Sequence, residues 1–244
     1  MKESLKSKLK RVLASFVPQS IKKFIEQEFV STDYYKYQNV SFSQEGEDLV
    51  IDRFLKYQEE GFYIDIGAHH PMRFSNTYRF YLRGWRGINI DAMPGSMKAF
   101  NEIKPNDINI EIPISAKTGI ETFYIFNETA FNTFSEANAN RLIEEQKAIL
   151  VETCQLQTQT LSKILDDYLP KGIMIDFMSI DIEGLDLSVL KSNDWHRYKP
   201  KFILVEAYLE YIYEINEKEI HRYLTSLGYK FVAKTYYTLL YKQD

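Results

Sequence analysis

Four short apolar runs in this chain each end on an acid: Tyr63-Ile64-Asp65, Ile88-Asn89-Ile90-Asp91, Ser179-Ile180-Asp181 and Ile203-Leu204-Val205-Glu206. Their β-branched and aromatic content marks them as strands. If they lie side by side in parallel, the four carboxylates gather at one edge of a sheet, where open α/β sheets bind ligands. Carboxylates placed there can accept hydrogen bonds from sugar hydroxyls, take a proton from an attacking oxygen or hold a hard cation. Each can equally cap a helix or close a turn.

The turn after the first run, Asp65-Ile66-Gly67-Ala68-His69-His70-Pro71, sorts the ligands. A dinucleotide site needs several glycines there, so that backbone amides can approach a pyrophosphate. Only Gly67 is present, and Pro71 removes an amide donor. S-adenosylmethionine has no phosphate, and one glycine lets its methionine portion pass close over the backbone. Asp91 closes the second run, where a carboxylate can accept from both ribose hydroxyls. These residues favour adenosylmethionine over a nicotinamide cofactor, with Asp65, Gly67, Ala68 and Asp91 as its expected contacts.

In Ser179-Ile180-Asp181-Ile182-Glu183-Gly184 the polar residues alternate with isoleucines, whereas a central parallel strand is normally apolar on both faces. Ser179, Asp181 and Glu183 therefore point one way if the strand stays extended. Buried carboxylates need a ligand, cation or donor to offset their desolvation. Alternatively, Glu183 has already left the strand and caps the helix that follows. If the methyl group of such a cofactor goes to a hydroxyl, as the family resemblance described below implies, the reaction requires an aligned acceptor oxygen and a base, worth about 10² to 10⁴-fold. Asp181 and His70 are the candidate bases, with Glu183 beside them as a third catalytic candidate; a free imidazole titrates at about 6.5. Adjacent His69 is the rival of His70.

From Ser43 onward the patterns that must position these residues alternate between helix and strand, as in an α/β sheet with crossover helices. Ser43 caps a helix reaching about Tyr57, with Glu45, Glu47 and Asp48 in its first turn. Strands are expected over 62–66, 87–91, 108–114, 175–181 and 202–206, with an added strand or hairpin over 122–126. Helices are expected over 76–82, from Pro94 toward Phe100, over 186–190 and over 216–227, and a hairpin over 229–234 and 237–241 ends the chain. Residues 127–140 read as a loop, whose Asn132, Thr133 and Ser135 can supply selectivity. Asn76 and Thr77 either contact the acceptor or cap the next helix. Trp85 and Trp195 read as core residues.

The first thirty residues are different. Lys2, Lys6, Lys8, Lys10, Arg11, Lys22 and Lys23 outnumber the acids there, and Leu5, Leu9, Val12, Leu13 and Phe16 recur at helical spacing before Pro18. A basic amphipathic helix can rest on an anionic membrane, dock on a partner subunit or cap the chain's own core. No long apolar region follows it, so no secretion signal is expected. Across all 244 residues, a net charge of -4 and a pI of about 5.7 argue against broad nucleic-acid binding. One cysteine, Cys154, suits a reducing cytoplasm, and no stretch has the about 20 apolar residues that span a bilayer.

Ser43-Gln44-Glu45-Gly46-Glu47-Asp48, Tyr63 to Pro71, Ser75-Asn76-Thr77-Tyr78, Gly84 to Asp91 and Asp181-Ile182-Glu183-Gly184, in that order, resemble the FkbM family of S-adenosylmethionine-dependent methyltransferases. The resemblance covers roughly residues 41–232 and leaves 1–40 as a helical extension, with 41–244 as the methyltransferase domain. It implies an α/β, Rossmann-like, seven-stranded, mostly parallel sheet with a C-terminal antiparallel hairpin, and methyl transfer to oxygen, often on sugars of surface polysaccharides or secondary metabolites. It further implies that Gln44 and Glu47 reach the cofactor's amino-acid end. In this fold Asp181 and Glu206 close adjoining strands and can hold Mg²⁺ or Mn²⁺ with substrate oxygens, an arrangement similar to that of metal-dependent O-methyltransferases. Tyr208, Tyr211 and Tyr213 can wall the acceptor pocket. The expected function is O-methylation of a carbohydrate or nucleotide-linked sugar. Methylation of a phosphorylated or nitrogen-containing sugar substituent, and a non-catalytic subunit of a polysaccharide assembly complex, are the alternatives.

Overall fold

Phe62–Ile66 (β1) is buried along its whole length, which is why its apolar run lacks the polar-out alternation of a half-exposed strand. It is the third strand across a seven-stranded sheet in the computed structural model, which describes residues 37–244. In chain order the other strands of the sheet are β2 (Arg86–Asp91), β3 (Ile108–Glu111), β6 (Phe177–Ile180), β7 (Phe202–Glu206), β8 (Tyr229–Lys234) and β9 (Thr238–Gln243). Their spatial order is β3-β2-β1-β6-β7-β9-β8. The first five pair in parallel, while β9 runs antiparallel to both β7 and β8. The strand order reverses between β1 and β6, the switch point at which such sheets bind ligands.

Register decides what reaches that edge. Ile110, Ile90, Ile66, Ile180 and Val205 are cross-strand partners in one row. With Ile64, Ile88, Met178 and Ile203 they face the larger apolar core, which also takes Leu161, Ile164 and Leu165 from helix α5 (Leu161–Tyr168). The opposite face carries Tyr63, Phe177, Phe202 and Leu204, packed on Ile51 of α1 (Glu47–Phe54) and Phe80 of α2 (Tyr78–Arg83). Toward the C-terminal edge this second face turns polar. Asn109, Asn89, Asp65 and Ser179 form one row, of which Asn89, Asp65 and Ser179 are buried. The residues next beyond the isoleucine row are Asp91, Gly67, Asp181 and Glu206, so the four acids of the sequence pattern do share one edge and one face.

The remaining elements fill out residues 41–244, which form one compact unit. They are α3 (Met97–Ile103), a hairpin of β4 (Gly119–Phe126) and β5 (Leu150–Thr158), α4 (Glu136–Glu144), α6 (Asp186–Lys191), α7 (Glu219–Ser226) and two short 3-10 helices, Thr129–Phe131 and Ile212–Glu217. No helix among the described residues is long and apolar enough to cross a membrane. The N-terminal basic helices, with their expected membrane or partner docking, lie outside the described residues.

Several expected elements are revised. The strand expected over 108–114 stops at Glu111, and the one expected over 175–181 begins at Phe177 and stops at Ile180. The run at 122–126 belongs to the longer β4, whose partner β5 gave no strand signal because its polar residues Glu152, Thr153, Gln155 and Gln157 leave only a half-exposed ribbon. The expected loop 127–140 contains the start of α4, capped where Ser135 Oγ accepts from Asn138 N at 3.2 Å. Both tryptophans lie in or against the apolar cores, Trp85 fully buried and Trp195 partly so.

Candidate active site

A cavity of about 430 Å³ opens at the switch point, within the range of small-molecule sites. Asp65, Gly67, Ala68, His70, Asp91, Asp181 and Glu183 line it, as do Gln44 and Asn76. The β4–α4 insertion closes one side with Phe123, Asn132 and Thr133.

The turn after β1 keeps its amides to itself. Gly67 N and Ala68 N both donate to Ile90 O at 3.0 Å, His69 N donates to Asp91 Oδ2 at 2.8 Å, and His70 N donates to Ala68 O at 2.6 Å. Four consecutive donors are thereby spent, so the turn offers no amide cradle for a phosphate. Glycine is required at 67 for a reason the sequence does not display. With φ +75, a Cβ there would fall 1.7 Å from the carbonyl oxygen of Asp181. The glycine lets β1 and β6 approach each other, which sets Asp181 beside the cofactor turn.

Asp91 is fixed by two backbone donors, Met93 N to Oδ1 at 2.7 Å and His69 N to Oδ2 at 2.8 Å. Burial raises its pKa and those two amides pull it back. Its remaining lone pairs are available to hydroxyl donors. Asp65 accepts from Thr77 Oγ1 at 2.6 Å, and Thr77 in turn accepts from Lys104 Nζ at 2.7 Å. Burial raises the Asp65 pKa, and the Lys104 charge opposes the rise.

Asp181 follows the last residue of β6, and Glu206 ends β7 one position beyond the Ile180–Val205 pair. Glu183 has left the strand and stands in the left-handed region at φ 52. It does not cap α6; Asp186 turns its own carboxylate back onto Ile182 N and Gly184 N instead. Thr133 Oγ1 and Asn138 Nδ2 donate to Glu183 O at 2.9 and 3.1 Å, so the insertion holds this strained residue in place. One carboxylate oxygen from each of Asp181, Glu183 and Glu206 lies within 4.8 Å of the others.

Three such groups cannot all be ionised without compensation. Burial, then the charges of Asp181 and Asp186, push Glu183 up to about 8, and burial with Asp181 pushes Asp186 up to about 7. Asp181 and Glu206 titrate as a pair. Burial raises both, and it is Glu206, facing the charges of Asp181, Glu183 and Asp186, that holds its proton and shares it with Asp181. Asp181 is open to the cavity although it stands deep among protein atoms. It is the ionised member, placed to meet a ligand.

His70 lines the cavity, but its Nδ1 accepts from Met72 N and Arg73 N at 3.1 and 3.0 Å. The neutral ring therefore carries its proton on Nε2, and that nitrogen donates. The expectation of His70 as a general base is corrected: taking a proton at Nδ1 would break both bonds, and Nε2 has no lone pair to offer. His69 Nε2 is buried without a partner among the described residues.

Glu47 is also corrected. Gln44 lines the cavity and Glu47 does not; its Oε1 accepts from Thr235 Oγ1 at 2.6 Å and its Oε2 from Glu45 N at 2.8 Å, which ties α1 to the turn between β8 and β9. Tyr208, Tyr211 and Tyr213 are exposed and do not line the cavity; Tyr208 packs edge-on against Tyr236 at 5.4 Å between ring centres. Asn76 Nδ2 donates to Ser179 Oγ at 2.9 Å, so Asn76 faces the site and Thr77 serves Asp65. The sequence reading missed Lys104, Asn89 and Asp107, which form the buried support beneath Asp65. Asn89 left a signal, an amide inside an apolar strand, whereas Lys104 between Ile103 and Pro105 left none.

Comparison with known proteins bears on the family and the fold. Residues 65–231, more than half of the chain, match the family model described as the methyltransferase FkbM domain. No curated protein matches the chain. Its fold is similar to a crystal structure of methyltransferase FkbM from Methylobacillus flagellatus KT, with a TM-score of 0.51 at 14% sequence identity, over 86% of this chain and 50% of that one. The chain thus spans half the length of that protein, and at this identity the likeness concerns the fold. With the family model matching more than half of its length, the chain belongs to the FkbM methyltransferase family.

Proposed function

We propose that the chain is an S-adenosylmethionine-dependent O-methyltransferase that acts on a sugar hydroxyl of a carbohydrate or nucleotide-linked sugar, in the cytoplasm and in the service of surface polysaccharide synthesis. The observation that carries this reading is the character of the cavity: a ring of carboxylates around a turn whose amides are all spent. At the cofactor turn such a site offers a dinucleotide's pyrophosphate no amide cradle and favours a cationic, phosphate-free nucleoside. Bound adenosylmethionine supplies a methyl carbon made electrophilic by its sulfonium. Asp91 accepts from the ribose hydroxyls, Asp65 offers a carboxylate oxygen to the cofactor, and Gln44 stands at its amino-acid end. Asp181 would accept the acceptor hydroxyl's proton as that oxygen takes the methyl group from the sulfonium, while protonated Glu206 hydrogen-bonds the carboxylate and tunes its basicity. His70 Nε2 and the Asn76 amide orient the acceptor. The walls are rich in carboxylates, which accept the hydrogen bonds that sugar hydroxyls donate.

A second reading is favoured by the convergence of Asp181, Glu183 and Glu206 within 4.8 Å: these oxygens would hold Mg²⁺ or Mn²⁺, which acidifies the hydroxyl directly. The donor set fits a hard cation, and the cation would replace the shared protons.

Incubation with adenosylmethionine and a panel of nucleotide sugars and glycans, followed by mass spectrometry, tests the function. One added methyl group on a sugar oxygen supports it. Methyl found only on a phosphoryl or nitrogen substituent favours the related alternative. Cofactor binding without turnover on any acceptor favours a silent subunit.

A further inference from the structure

Lys104, just beyond α3, is completely buried. Its ammonium donates to Thr77 Oγ1 at 2.7 Å and to Asn89 Oδ1 at 3.2 Å, and it stands 5.4 Å from the centre of the Tyr63 ring and 5.6 Å from that of Phe100. Thr77 has one hydroxyl proton and gives it to Asp65 Oδ2. The contacts make a one-way relay: ammonium to hydroxyl, hydroxyl to carboxylate. On the other side Asn89 Nδ2 donates to Asp107 Oδ2 at 3.0 Å and to Asn109 Oδ1 at 2.8 Å. Asp107 is anchored by Gly87 N at 3.0 Å and by the Tyr63 hydroxyl.

A buried lysine is costly unless its charge is hydrogen-bonded and met by an opposite charge. We propose that Lys104 is a positioning residue for the cofactor site: through Thr77 it orients Asp65 and keeps it charged at the floor of the cavity. The proposal rests on the reading of Asp65 as a cofactor contact. Asp65 faces Lys104, Asp107 and Tyr63 beneath it, and Asp91 and Asp181 along the edge. Lys104 is the single cation in that set, against three other acids. Without it, only the Thr77 hydrogen bond opposes the burial that drives Asp65 toward its neutral form. Burial lowers Lys104 itself to about 8, so the ammonium persists at neutral pH.

The test is Lys104→Met, which keeps the chain length and removes the charge. In ¹³C NMR of carboxyl-labelled aspartates, the Asp65 midpoint is expected to rise by at least about one pH unit relative to wild type. An unchanged midpoint overturns the proposal without touching the cofactor reading. In calorimetry, adenosylmethionine binding to Lys104→Met is expected to be about tenfold weaker than wild type at a pH below the wild-type Asp65 midpoint, where a one-unit rise cuts the ionised fraction about tenfold, and to approach wild type as pH rises above the variant's midpoint. A weakening that is the same at every pH marks a merely structural role and also overturns the proposal. Thr77→Val, which cuts the relay and keeps the ammonium, gives the same upward shift of smaller size and serves if Lys104→Met does not fold; no shift in Thr77→Val overturns the relay. Wild-type protein that binds no adenosylmethionine overturns the cofactor reading, while the Asp65 midpoint still decides what Lys104 does.

Discussion

Glu206→Gln should make the ligand-free protein less sensitive to alkali. The substitution keeps the side-chain volume and a donor for Asp181 and removes one titrating group from the trio whose oxygens lie within 4.8 Å of each other. At an effective dielectric of about 20, two unit charges at that distance repel by about 3.5 kcal/mol, or about 2.5 pKa units. The raised values of Glu183, about 8, and Asp186, about 7, have the same sign. A carboxyl whose folded pKa exceeds its unfolded value holds a proton that the unfolded chain has released, so stability falls as pH rises through the folded pKa. Between pH 6.5 and 8, two retained protons, one shared by Asp181 and Glu206 and one on Glu183, come to about 4 kcal/mol. Solvent reaching the cluster through the cavity reduces this to about 2 kcal/mol, or about 4–8 °C in melting temperature for a chain of this size. The window is chosen because lowered pKa values at His69, His70 and His221 act below it, with the opposite sign, and that of Lys104 acts above it. Scanning calorimetry in chelator-containing buffer should therefore find wild type melting lower at pH 8 than at pH 6.5, and Glu206→Gln losing about half as much. A wild-type melting temperature that is flat or rising across the window, or an identical decline in the variant, would refute the shared-proton cluster.

Asp91→Ala should weaken adenosylmethionine binding by about 1–3 kcal/mol through lost ribose hydrogen bonds; unchanged affinity by calorimetry would remove Asp91 from the cofactor site. Asp181→Asn should lower kcat by about 10² to 10⁴-fold with cofactor affinity nearly unchanged, and a kcat within a few-fold of wild type would assign the base elsewhere. Gly67→Ala should destabilise the fold by at least about 3 kcal/mol, because the added methyl group meets the Asp181 carbonyl at 1.7 Å; a wild-type melting temperature would contradict the close strand approach. If the acidic trio binds Mn²⁺, adding the cation at pH 8 should raise the melting temperature of wild type and not of Glu206→Gln, whereas full activity after chelation would eliminate a metal role.

The convergence of the four acids was legible because a parallel strand announces itself by an uninterrupted apolar run, and the acid that breaks each run marks its C-terminal end. Asp65, Asp91, Asp181 and Glu206 reach one edge for that reason alone. Glu183 was legible only in part: alternation placed it on an extended strand, whereas β6 stops at Ile180 and a left-handed turn at residue 183, held from the insertion by Thr133 and Asn138, brings its carboxylate to the others. Gly67 was read as clearance for a ligand, but its constraint comes from a neighbour more than a hundred residues away in the chain, a distance that no local pattern encodes. His70 was misread because its tautomer is set by two loop amides, visible only in three dimensions. Lys104 is the clearest failure, since a lysine beside a proline reads as a surface turn and only tertiary packing buries it. β5 was missed because a half-exposed ribbon needs few apolar residues and so resembles a loop.

The most direct measurement is a crystal structure of the protein soaked with S-adenosylhomocysteine. Density for the nucleoside should lie in the switch-point cavity, with the ribose hydroxyls on Asp91 and the sulfur facing Asp181. A ligand bound elsewhere on the molecule, or seated in the cavity with its ribose away from Asp91 and its sulfur away from Asp181, would contradict the assignment of this sheet edge as the methyl-transfer site.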